Sequence, residues 1–85
     1  MAEEKEIGAV DHYFSKISVG TIQLSDALKV GDTIHIKGHS EDFTQTVDSM
    51  RIEFTDVKEA SAGQTVGIKV AQKVHPNDKV YKVIG

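Results

Sequence analysis

The sequence predicts an all-β domain, a small closed barrel of six antiparallel strands. Three observations carry that expectation. Apolar residues recur at a spacing of two, turn residues interrupt them every eight to twelve positions, and no apolar stripe at helical spacing competes. Two breaks in the alternation add strong curvature, because a strand that changes phase must bulge, and bulges twist and bend a sheet.

Residues 1–6 read as a flexible acidic tail ahead of a single domain over 7–85. Ile7 to Phe14 is the first expected strand. Ile17 to Leu24 is the second; Ile17 and Val19 are odd while Ile22 and Leu24 are even, which predicts a bulge at Gly20-Thr21. Leu28 and Val30 should tuck beneath the sheet before Gly31-Asp32 turns the chain into a third strand, where Ile34 and Ile36 face inward. Phe43 to Phe54 reads as one long strand, with a second bulge near Asp48-Ser49. Asp56 to Ala62 fits one short helical turn, stopped by Gly63. Thr65 to Val70 is strand five, His75-Pro76-Asn77-Asp78 is a turn by residue chemistry, and Lys79 to Val83 closes the set.

Composition narrows the function. At 85 residues there is room for one core, and a chain this small buries only roughly 60–65% of the surface that its unfolded form exposes. A catalytic cleft is hard to fit. The absence of cysteine rules out a disulfide framework and a thiolate nucleophile, and with the charged start of the chain it leads to the expectation of a cytoplasmic protein. Net charge is −3, which argues against wrapping duplex nucleic acid, although residues 1–43 hold four lysines against eight acids and residues 44–85 six basic groups against five.

The chemical motifs are mostly negative. No glycine-rich loop leads into a helix with Lys and Ser or Thr, so no GTP or other nucleotide-phosphate site is expected. His35 and His39 are four apart, but on an extended strand that is roughly 13 Å, too far for one ion, so no metal and no cofactor are expected. Glu41 and Asp42, adjacent carboxylates just after Ser40 in a polar loop, are both expected to be solvated. No serine sits in a G-x-S-x-G elbow. No catalytic residue is therefore predicted, and the chain reads as a non-enzymatic module.

Three segments resemble one family. Leu28-Lys29-Val30-Gly31-Asp32-Thr33-Ile34-His35-Ile36, Thr46-Val47-Asp48-Ser49-Met50-Arg51-Ile52 and Ala62-Gly63-Gln64-Thr65-Val66-Gly67-Ile68 are similar, in order and spacing, to the K-x-G-D/E turn, the bulged strand and the A-G-x-x-V-G segment in the second domain of translational GTPases such as elongation factor Tu. The resemblance implies a barrel of the translation-factor domain II type, with GTP hydrolysis left to another chain. It also implies contact with RNA or a ribonucleoprotein. Gly67 matches the neighbourhood of that family's RNA-end pocket, whereas Arg51 stands where an acidic residue is expected and Thr65 where asparagine is common.

The candidate binding face comprises the outward residues His35, Lys37, His39, Arg51, Gly67 and Lys69. Its cations would meet phosphate. Related barrels are also appended to collagenase-like peptidases, which gives the alternative reading: an accessory protein-interaction barrel that docks onto a separate enzyme.

Overall fold

Ten strands and no helix make up the described part of the chain. The structure is a computed structural model, and it describes residues 3–39, 41–53 and 55–84. The strands are β1 (Glu4–Phe14), β2 (Val19–Leu24), β3 (Leu28–Lys29), β4 (Thr33–Lys37), β5 (Asp42–Thr46), β6 (Met50–Ile52), β7 (Thr55–Val57), β8 (Glu59–Ala60), β9 (Thr65–Lys69) and β10 (Lys79–Val83). Eight of them form one antiparallel sheet in the order β5-β4-β10-β1-β2-β9-β6-β7, while β3 pairs with β8. The all-β antiparallel class is as expected.

The closed six-stranded barrel is not. The eight-stranded ladder ends at β5 and β7, and among the described residues these ends do not pair with each other. The curled sheet instead brings the β5 edge to the end of β9 through one side chain: Gln45 Nε2 donates to the Lys69 carbonyl at 2.8 Å and its Oε1 accepts the Ala71 N–H at 2.8 Å. A primary amide carries one donor and one acceptor side, so it can satisfy both backbone groups where no ladder runs.

The alternating apolar positions become the core. Ile7, Ile22, Ile34, Ile36, Val66, Ile68 and Val80 are all essentially inaccessible to solvent, joined by Leu28, Val47, Met50 and Val74. At roughly 25 cal/mol per Å² of apolar surface, burial of this kind is the main favourable contribution in so small a domain.

Four local expectations are corrected. There is no bulge at Gly20-Thr21: β2 alternates regularly, with Gly20, Ile22 and Leu24 all inward, and Gly20 takes an inward place because Val74 packs against it. The irregularities lie on the partner strand, between Val10 and His12 against β2 and between Glu6 and Gly8 against β10. Phe43 to Phe54 is two strands at opposite ends of the ladder, β5 beside β4 and β6 beside β9; Phe54 itself lies outside the described residues. Val47 marks the departure, since its backbone bonds to Gly31 and Asp32 rather than to a sheet neighbour. In place of a helical turn over 56–62, the chain carries the end of β7 and the whole of β8, with Ala60 paired to Leu28, before a turn at Ala62-Gly63. Residues 4–6, expected in the acidic tail, begin β1 and pair with Tyr81, Lys82 and Val83.

Candidate functional site

Strand order decides which loops meet. Lys37 at the end of β4 pairs with Lys79 at the start of β10, so the turn leaving β4 and the turn entering β10 emerge side by side. Glu41 comes from the first turn, His75 and Asp78 from the second. His75 Nδ1 lies 2.6 Å from Glu41 Oε1, and the His75 backbone N–H donates to Asp78 Oδ2 at 2.9 Å.

Glu41 and Asp78 are buried, 8% and 5% exposed, while the His75 side chain is half open to solvent. Burial pushes the Asp78 carboxyl above the usual carboxylate range, the hydrogen bond with Glu41 pushes the same way, and the His75 N–H works against both. The expectation of a solvated Glu41-Asp42 pair is half wrong. Asp42 is exposed on β5, but Glu41 turns the other way.

A second cluster sits across β1, β4 and β5. His35 is clamped between two carboxylates: its Nδ1 lies 2.8 Å from Glu4 Oε2, its Nε2 contacts Asp42, and Tyr81 packs beside the ring. The bond to Asp42 chiefly, and that to Glu4 after it, hold the imidazole pKa above its ordinary value against the opposing effect of burial. His35 thus has a carboxylate partner at each ring nitrogen.

The other nominated residues come from strands that are not neighbours in the ladder, although the curl of the sheet brings the β5 edge, beside β4, to Lys69. Lys37 and His39 are exposed at one end of β4, whereas Arg51, Gly67 and Lys69 belong to β6 and β9, four places or more away along the ladder. Arg51 Nε pairs with Asp56 at 2.8 Å. At Gly67 an added Cβ would lie 3.4 Å from Val19 Cγ1, an ordinary contact, so close packing does not require glycine there. Lys69 lines a shallow depression of about 340 Å³ with Gln45, Thr46, Asp48 and Ser49. A second, of about 330 Å³, lies beside Gly8 and Asn77.

At the tip of the β1–β2 hairpin Phe14 and Ile17 are 45% and 61% exposed, and His12 stacks edge-on against Phe14 at 4.6 Å. These two apolar side chains are placed in solvent by a turn that Ser18 closes with a positive φ of 55°.

Comparison with known proteins bears on the identity of this fold. No family model matches the chain. An uncharacterized protease of Methanocaldococcus jannaschii is 42% identical over 77 residues, 89% of this chain and 19% of that protein. A Porphyromonas gingivalis collagenase is 36% identical over 78 residues, again 89% of this chain and 22% of the relative. The crystal structure of the C-terminal domain of a Geobacillus thermoleovorans protein assigned to the U32 peptidases superposes with a TM-score of 0.86 at 25% identity, over 92% of this chain and 91% of that one.

The chain is similar to a U32 peptidase C-terminal domain. It spans about a fifth of the length of the curated relatives it matches.

These matches overturn the translation-factor reading and the RNA-binding role drawn from it. Two of the three segments that suggested it carry a turn glycine. Gly31 and Gly63 adopt φ of 98° and 89°, where glycine is favoured, so the glycines in these motifs answer to turn conformation and do not mark a function.

Proposed function

We propose that this chain is a non-enzymatic accessory domain that docks onto a peptidase core of the U32 kind. The observation that carries the reading is that nearly the whole chain matches a segment of a protease and of a collagenase, together with a separately solved peptidase C-terminal domain. Catalysis is then the work of the remainder of such an enzyme, and this domain contributes contact surface.

The hairpin tip suits that role. Phe14 and Ile17 present apolar area that costs free energy while it faces water and is recovered when a partner covers it. A direct test mixes the purified chain with the Methanocaldococcus jannaschii relative truncated to lack its matching segment. A complex that weakens in Phe14→Ser and Ile17→Ser variants supports docking through the hairpin. No complex, or hydrolysis of a protein substrate by this chain alone, overturns the reading.

A further inference from the structure

We propose that Glu41, His75 and Asp78 form a binding site for one divalent cation with the size and ligand preferences of zinc. One ligand atom from each residue lies within 4.8 Å of the other two. Tetrahedral zinc ligands, at roughly 2.0–2.2 Å from the ion, stand roughly 3.3–3.6 Å apart, so small side-chain rotations bring all three donors into range. The set comprises one imidazole nitrogen and two carboxylate oxygens. That combination suits zinc better than magnesium or calcium, which favour oxygen ligands alone and six or more of them.

The surroundings are built to hold these donors. The Gly38 N–H donates to the Glu41 carbonyl at 2.7 Å and closes the turn that carries Glu41. A Cβ at Gly38 would fall 2.2–2.7 Å from the Asp78 carboxylate atoms, so the absence of a side chain there makes room for this carboxylate. On the other turn, Asn77 N–H donates to the Val10 carbonyl and Val10 N–H to the Asp78 carbonyl, both at 2.8 Å, which fastens the His75–Asp78 segment onto β1. The ligands come from two turns whose adjacency is set by the β4–β10 ladder.

A His–Glu ion pair alone would account for His75 and Glu41, but it leaves a second buried carboxylate against the first. Two carboxyl groups packed together can share one proton, as Glu41 and Asp78 do in their hydrogen bond, and a divalent cation held by both oxygens and by His75 can take that proton's place. The exposed side of His75 leaves a direction from which the ion can enter and from which water can complete its coordination. This inference is independent of docking and of any peptidase partner.

The test is calorimetric titration of the 85-residue chain, first stripped with a chelator, with zinc chloride and then with magnesium and calcium chlorides. One zinc per chain is expected, accompanied by a rise in the thermal midpoint, since an ion that binds only the folded state stabilises it by mass action. His75→Ala should weaken zinc binding by at least the roughly 10–100-fold that losing even an outer-shell partner costs. Its side chain is half exposed, so the variant keeps its fold, which circular dichroism verifies; Asp78→Asn, near-isosteric, gives a second reading. His12→Ala, at the hairpin tip, should bind like the parent. Absence of one-to-one binding, zinc affinity in the His75 and Asp78 variants equal to the parent's, or calcium or magnesium binding as tight as zinc overturns the proposal.

Discussion

Gln45 Nε2 donates to the Lys69 carbonyl across 2.8 Å, and through that bond the β5 edge of the sheet reaches the end of β9. The same amide accepts from Ala71 N–H, so one side chain serves where strand pairing stops. Gln45→Ala removes both bonds. The expected loss is about 1–2 kcal/mol, the net worth of two hydrogen bonds whose backbone partners are left to water. Gln45→Glu keeps the acceptor for Ala71 but loses the donor to Lys69, and should fall between parent and alanine variant. Urea denaturation monitored by circular dichroism measures this series, and an alanine variant as stable as the parent would show that the amide closes nothing.

Glycine at position 8 is required by close approach rather than by conformation. A Cβ there would meet the Gln23 carbonyl oxygen at 2.4 Å and Ile22 Cγ2 at 3.2 Å, in the stretch where β1 pairs with β2. Backbone cannot yield as a flexible side-chain end can, so Gly8→Ala should cost about 3 kcal/mol, the upper end of the overpacking range. Gly67→Ala is the control and should cost much less, since its Cβ meets only ordinary contacts. Equal midpoints for the two variants in thermal melts would contradict this account.

Leu28 and Val30 divide in the same way. Both are expected from the sequence to tuck under the sheet, yet Leu28 is 1% exposed and Val30 38%. Leu28 brings the small β3–β8 sheet onto the core, so Leu28→Ala should lose about 2–5 kcal/mol through transfer and cavity costs together. Val30→Ala should stay within about 0.5 kcal/mol of the parent. Chemical denaturation of both variants decides the matter.

Strands with strict alternation were legible in advance. Ile34 and Ile36, Val66 and Ile68, and Val80 all face inward as a period of two requires. Phase arithmetic failed where a small residue took an inward place, as Gly20 does against Val74, because an apolar count cannot see a glycine that packs. It failed again at Val47, where the change of parity marks the chain leaving one edge of the sheet for the other end, not a bulge within one strand. The Glu41–His75–Asp78 cluster was hidden for a different reason. His75 and Asp78 stand three apart around Pro76, a local hint, but Glu41 joins them only through the β4–β10 pairing, and that long-range adjacency leaves no local trace.

The His35 clamp makes stability depend on pH in a definite direction. Asp42 first, and Glu4 with it, raise the His35 pKa above 6.5, so the folded state holds that proton more tightly than the unfolded chain does. Its contribution is complete below 6.5 and fades as pH climbs through the raised folded value. Asp42 shows the converse: its pKa is lowered from 3.8, chiefly by His35, so its contribution is present above 3.8 and is lost as pH falls through the lowered value. Between these limits both partners are charged. The advantage of the parent over His35→Gln should therefore be greatest near about pH 5–6 and shrink in mildly alkaline buffer. Thermal melts of both proteins across that range test the sign, and NMR titration of the His35 ring tests the cause. A midpoint at or below 6.5, or a stability gap that widens with rising pH, would mean that the carboxylates of Glu4 and Asp42 do not hold the ring as an imidazolium.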